Sequence, residues 1–206
     1  MQSAITRFWM IRHARVDPAA LSILYGTLDV PICETTLAGE ATRYEALAAR
    51  LPAPASWVVT PLNRTRQTAM ALFEAGYEPA PLIVEPDLVE QDFGAWQGRP
   101  LADFETHEAR HPFWPIGGGH TPPEGESFEA LQGRVAAALE RLAARYRGQD
   151  VVVVAHGGSI RAAAAHALDL TADQALNIAI DNISLTRLER HPRAWRVASV
   201  NEAQAA

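Results

Sequence analysis

The sequence predicts an α/β fold, a three-layer α/β/α sandwich around a mostly parallel, mixed central sheet. Three observations predict it. Short apolar runs, Phe8-Trp9-Met10-Ile11, Trp57-Val58-Val59 and Val151-Val152-Val153-Val154, read as strands buried on both faces. Segments with helical spacing, several of them alanine-rich, lie between and after them, over 37–51, 64–74, 128–146 and 160–168. Near the C-terminus two alternating segments, 184–188 and 195–200, flank a turn at His191-Pro192 and read as an edge hairpin. Alternation of strand and helix demands parallel pairing with helices on both faces, and the hairpin makes the sheet mixed.

A further strand is expected over 81–84, after the second helical segment. One stretch breaks the alternation. Over 111–127, Pro112, Pro115, Gly117, Gly118, Gly119, Pro122, Pro123 and Gly125 follow in close succession. A long loop inside a compact domain is often a lid or a binding segment, so a lid-like insertion is expected around 99–127. Gly117 to Gly119 read either as a hinge or as part of that binding segment. No internal repeat or low-complexity linker divides the chain, so residues 1–206 are expected to form a single domain.

Hydrophobic residues make up 48% and charged residues 20%, the balance of a soluble globular protein. A net charge of −6 argues against nucleic acid or an anionic membrane as partner, while leaving room for a small basic pocket. Cys33 is the one cysteine, which excludes an internal disulfide and reads as a structural thiol. The first seven residues lack the usual form of a signal peptide, and the apolar runs are too short to span a bilayer. A cytoplasmic protein is the expectation. The oligomeric state is left open, a homodimer being one option.

The chemistry concentrates at strand ends. In open α/β sheets ligands bind beyond the carboxyl ends of the strands. The first strand ends in Arg12-His13-Ala14-Arg15, the second in Thr60-Pro61-Leu62-Asn63-Arg64, and the valine strand in His156-Gly157-Gly158-Ser159, which opens a helix. Two histidines and several arginines therefore meet at one sheet edge. Guanidinium forks match phosphate oxygens, and a helix N-terminus offers amides and a positive dipole end. A neutral imidazole is a competent nucleophile toward phosphorus, and neighbouring guanidiniums hold it neutral.

These segments resemble the histidine phosphatase superfamily, also called phosphoglycerate mutase-like, over nearly the whole chain. Arg12-His13 resembles its Arg-His-Gly signature, and Thr60-Pro61-Leu62-Asn63-Arg64-Thr65-Arg66-Gln67-Thr68-Ala69 its second motif. The run from Leu88 to Gly98 resembles the segment carrying the acid. Pro123-Glu124-Gly125-Glu126-Ser127 is similar to the entry to a helix, and Val154-Ala155-His156-Gly157-Gly158 to the second histidine motif. The resemblance implies a phosphoglycerate mutase-like fold and metal-independent hydrolysis of a small phosphorylated metabolite, with no cofactor. It implies His13 as the nucleophile, Glu90 as proton donor and later base, His156 as a third catalytic residue that binds and stabilises the transferring group, and Arg12, Arg64 and Gly157 around that group. Arg15, Tyr25, Trp96 and Trp114 are expected in the substrate pocket. Specificity is expected in 15–30 and 101–127.

The pattern is not followed everywhere. Ala14 stands where the family has glycine, Arg15 where it has Glu or Gln, and Ala19 where asparagine is frequent. Tyr25 to Pro31 is similar to the branch containing α-ribazole phosphatases. Asp92 lies two residues from Glu90 and competes with it; the motif selects Glu90. A mutase and a non-catalytic phosphate-binding module are the alternative readings. The segment Gln91-Asp92-Phe93-Gly94 resembles the phosphatase version. His107-Glu108-Ala109-Arg110-His111 satisfies a zinc-protease pattern, but Pro112 pushes His111 away from helical geometry. Gly157-Gly158-Ser159 lacks the second glycine of a nucleophile elbow, because Arg161 stands there. His166 and His191 are read as incidental.

Overall fold

In a computed structural model, which describes residues 4–203, the apolar runs form strands. Of the stretch read for a leader, residues 1–3 lie outside the described residues. The strands are β1 (Thr6–Arg12), β2 (Ser56–Val59), β3 (Leu82–Val84), β4 (Asp150–Ala155), β5 (Leu185–Arg190) and β6 (Trp195–Glu202). They pair in the order β3-β2-β4-β1-β5-β6. The first four are parallel, and β5 and β6 close one side as the antiparallel hairpin read from the sequence.

Successive side chains of a strand point to opposite faces, and two cores follow from that period. Phe8, Met10, Val58, Val151, Val153 and Ala155 face one side, against α4 (Phe128–Arg145) and α5 (Gly157–Leu168). Ile11, Trp57, Val59, Val152 and Val154 face the other, against α2 (Ala41–Arg50) and α3 (Asn63–Glu74). The valine strand lies at 0% exposure from Val151 to Val154, which is why it carries no polar alternation. Helix α4 buries Phe128, Leu131, Val135, Ala138, Leu139 and Leu142, one stripe at helical spacing. Its start is fixed by the Ser127 hydroxyl, which accepts from Ala130 N at 3.1 Å.

Two elements differ from expectation. The helix expected over 37–51 begins earlier, as α1 (Glu34–Gly39), and is interrupted at Glu40, with φ −109° and ψ 19°, before α2. Gly39 supplies the weak helix former at that break. A short helix, α6 (Ala172–Leu176), was not read from the sequence; a Thr171–Gln174 capping box starts it.

The stretch 97–127 forms turns and a short 3-10 helix, Leu101–Phe104. It is anchored by a small core of Leu24, Phe93, Phe104 and Ile116. Gly118 donates to the Asp173 carboxylate at 2.7 Å and accepts from Glu129 N at 3.1 Å, which docks the segment on α6 and α4.

Candidate active site

Register brings the site together. Arg12 pairs with Ala155 across β1 and β4, so the next residues, His13 and His156, emerge side by side. Val59 pairs with Val154, which sets Thr60 beside them. The two imidazole rings lie 5.2 Å apart and are buried, at 1% and 0% exposure.

His13 is held by its own loop. Its Nδ1 lies 2.7 Å from the Ala14 carbonyl, which only accepts, so the proton sits on Nδ1 and the Nε2 lone pair is free. Asn182 donates to the His13 carbonyl at 2.8 Å, and the Thr68 hydroxyl accepts from Ala14 N at 2.8 Å. Ile183, a β-branched residue at φ 60°, donates to the Arg12 carbonyl at 3.0 Å, so a strained turn abuts the end of β1. Burial first, then Arg64 and Arg12, hold the His13 pKa well below the usual imidazole range. Burial and Arg64 do the same for His156.

Arg64 is fully buried. Its Nε donates to His156 Nδ1 at 3.2 Å, Nη1 to the Leu28 carbonyl at 2.7 Å and Nη2 to the Gly26 carbonyl at 2.7 Å. A guanidinium has five N–H donors, so two remain. The Tyr25 ring lies 5.3 Å from the guanidinium carbon. The turn that receives Arg64 requires glycine. Gly26 sits at φ 40°, and a Cβ there would meet Gln97, the Gln91 carbonyl and Phe93 within 2.8 Å. His156 Nε2 faces the Thr60 hydroxyl at 2.9 Å. Both of its ring nitrogens are therefore engaged by protein, and it orients Arg64.

Arg12 donates from Nη1 to the Ile180 carbonyl at 2.6 Å. Its Nε is buried without a hydrogen-bond partner among the described residues. Glu90 accepts from Gly158 N at 3.0 Å and from Gln91 N at 2.9 Å. That contact needs glycine at 158, since a Cβ would run into the Glu90 carboxylate. The second amide of α5 thus serves Glu90, where the sequence reading assigned the helix start to phosphate. Arg12, Glu90 and Gly157 border one cavity of about 140 Å³.

Asp92 takes a different place from Glu90. Its carboxylate accepts from Gly94 N at 2.8 Å and closes a turn. Of the expected pocket residues, Tyr25 and Trp114 line the cavity. Trp96 and Arg15 are not among its lining residues. Trp96 packs on Phe104 at 5.0 Å and stacks on His120 at 5.7 Å, and Arg15 is exposed. Trp96 follows a turn at Gly94, with φ 51°, and its ring lies against Phe104 and His120 of the 101–120 segment. The zinc-protease pattern lacks its helix: residues 105–110 form turns, and His107 faces Trp96 and His120. Among the described residues no group of three or more His, Cys, Asp or Glu side chains is placed to hold a metal ion.

Two arginines at the site were not read from the sequence. Arg161 lies one turn into α5, with Nε on the Ile178 carbonyl at 2.6 Å and its guanidinium 4.8 Å from the Trp114 ring. Burial brings its pKa down to about 10. Arg134, on α4, donates to the carbonyls of Asp87, Val89 and Glu90 at 2.9, 2.9 and 3.0 Å. It also forms a two-point contact with the Glu126 carboxylate, at 3.0 and 2.6 Å. The sequence signal for both is weak: a single arginine on a helix otherwise reads as a solvated residue.

The family model of the histidine phosphatase superfamily (branch 1) matches residues 8–203. The chain belongs to that superfamily. It is similar to a bifunctional protein of Mycobacterium tuberculosis, at 30% identity over 89% of this chain and 50% of the relative. The chain thus spans about half the length of that relative. It is also similar to an adenosylcobalamin/alpha-ribazole phosphatase of Salmonella typhimurium, at 28% identity over 81% of each chain. Among solved structures, a mycobacterial glucosyl-3-phosphoglycerate phosphatase superposes with a TM-score of 0.79 at 28% identity, over 97% of this chain and 100% of that one. Among the described residues no helix is long and apolar enough to cross a membrane.

Proposed function

We propose that this histidine phosphatase superfamily member hydrolyses small phosphomonoesters through a phosphohistidine on His13, without a metal ion. The observation that carries the reading is the 2.7 Å contact between His13 Nδ1 and the Ala14 carbonyl. The Ala14 carbonyl fixes the proton on Nδ1 and leaves the Nε2 lone pair beside buried guanidiniums. Phosphatase names among the relatives support it.

In the first step Nε2 attacks phosphorus, a P–N bond forms and the ester P–O bond breaks. Glu90 gives its proton to the departing alkoxide. In the second step water attacks phosphorus, Glu90 takes its proton, the P–N bond breaks and inorganic phosphate leaves. Arg64, with two free N–H donors, and Arg12, with its unpartnered Nε, meet the charge on the equatorial oxygens. His156 keeps Arg64 in place. The cationic groups already supply the electrostatic clamp, so no divalent ion is required.

The test is turnover of p-nitrophenyl phosphate with and without chelator, in the intact chain and in His13→Ala. The reading expects chelator-resistant activity that His13→Ala abolishes. Activity that depends on an added metal, or that survives His13→Ala, contradicts it.

A further inference from the structure

The walls of the cavity say more about the ester than its phosphoryl end does. Beyond Arg12 and Glu90 the cavity is bounded by Leu24, Tyr25, Phe93, Leu101 and Trp114. At about 140 Å³ it has the size of an apolar cavity that accepts one benzene ring, roughly 150 Å³. A second, adjacent cavity of about 420 Å³ shares the wall residues Leu101, Trp114 and Pro115 with the first and is lined further by Phe104, Glu105, Arg110, Pro112 and Phe113. Two large apolar side chains of the outer cavity are open to solvent, Leu101 at 39% and Phe113 at 64% exposure. A lone exposed apolar residue is ordinary, but here two border a cavity next to the site.

Charge in the inner cavity is sparse. In the inner cavity the charged lining groups are Arg12 and Glu90, both already assigned to the phosphoryl transfer. Arg161 lies against Trp114 and is not among the lining residues. In the outer cavity Arg110 donates to the Glu105 carbonyl at 3.0 Å, and Glu105 is its acidic neighbour. A carboxylate or a polyhydroxylated group on the leaving alcohol would lose its water against Leu24, Phe93 and Trp114 with little to replace it. A hydrocarbon group loses nothing there and gains burial.

We propose that the two adjacent cavities together form a leaving-group subsite for a hydrocarbon chain or ring, so that the preferred esters are monophosphates of apolar alcohols or phenols. The inference rests on the phosphatase reading above. With the phosphoryl group at Arg12 and the ester oxygen beside Glu90, the first carbons pass between Tyr25, Phe93 and Trp114, and later ones run over Leu101 toward Phe113.

The experiment measures kcat/KM for ethyl, butyl and hexyl phosphate, whose leaving-group chemistry is nearly constant, beside phosphoserine, 3-phosphoglycerate and glucose 6-phosphate. The subsite predicts a rise of about threefold to fourfold per added methylene, with hexyl phosphate above all three polar esters. Leu101→Gln and Phe113→Ser should flatten that dependence, and Leu168→Gln, at an exposed position on the end of α5, should leave it steep. A flat chain-length series, or a polar ester turned over tenfold better than hexyl phosphate, overturns the subsite while the phosphatase reading stands. A steep series that Leu101→Gln and Phe113→Ser leave intact also overturns it. No turnover of any ester, p-nitrophenyl phosphate included, overturns the phosphatase reading and the subsite with it.

Discussion

Arg134 is the place where helix packing and chemistry meet most directly. It does not line the cavity, yet it fastens the backbone that carries Glu90. Its donors reach the carbonyls of Asp87, Val89 and Glu90 and the Glu126 carboxylate, and its side chain is 20% exposed. Arg134→Lys keeps the charge but replaces a planar five-donor fork with three donors on one nitrogen. Lysine can keep the Glu126 contact or the carbonyls, not all of them. Each acceptor left unpaired costs about 1–3 kcal/mol; with partial access of water, a loss of about 2–3 kcal/mol in stability is expected. The effect on rate has a direction of its own. A displacement of about 1 Å at a reacting group costs on the order of 100-fold. If Glu90 is the proton donor, the loss falls on esters that need leaving-group protonation. Arg134→Lys should therefore slow butyl phosphate about 30- to 100-fold and p-nitrophenyl phosphate less than about fivefold, the pattern also expected of Glu90→Gln but milder. The assay is kcat for both esters at a temperature well below the unfolding midpoint. Equal losses on both esters, or no rate loss with full loss of stability, would refute the positioning role.

Three further outcomes follow from the same geometry. Gly158→Ala places a Cβ against the Glu90 carboxylate, 3.1 Å from its Cδ, and 3.3 Å from Leu131, so it should mimic the leaving-group-dependent loss of Glu90→Gln; wild-type kinetics on an alkyl ester would show that Glu90 has room to move without cost. Arg64→Lys cannot span the Gly26 and Leu28 carbonyls and His156, so kcat should fall about 100-fold or more; full activity would mean that Arg64 acts by charge alone. His13 and His156 have pKa values depressed by burial and by Arg64, so below the unfolded imidazole pKa of about 6.5 the unfolded chain binds protons that the folded chain does not. Stability should be full above that pH and fall as pH drops, by up to about 1.4 kcal/mol per pH unit for each histidine. His13→Asn should remove one proton from that dependence in urea unfolding between pH 7.5 and 5.5, and an unchanged slope would contradict it.

How far the sequence could be read depended on periodicity. Val151 to Val154 announced a strand buried on both faces, and the residues after it had to emerge at the sheet edge; that is enough to place His13 beside His156. The loops gave no such rule. Tyr25 to Leu28 was read through resemblance alone, whereas in the structure its carbonyls receive Arg64 and its Gly26 fills a contact no other residue fits. Trp96 and Trp114 looked alike in the sequence, since an aperiodic segment does not reveal which side chains turn inward; Trp114 lines the cavity and Trp96 packs on His120. Arg134 and Arg161 were passed over because an arginine on an amphipathic helix has the same local signature whether it meets solvent or carbonyls. Arg161 entered the sequence argument only as the residue that spoils a nucleophile elbow.

The central claim is that phosphorus becomes bonded to His13 Nε2. The direct measurement is rapid acid-free quenching of the enzyme during turnover of a phosphorus-labelled monoester, followed by mapping of the labelled peptide by mass spectrometry. The account predicts phosphate on the peptide containing His13, lost in acid, stable in base, accumulating in Glu90→Gln with p-nitrophenyl phosphate, and absent in His13→Ala. Label on His156 or on a hydroxyl side chain, or turnover by His13→Ala without any labelled protein, would contradict it.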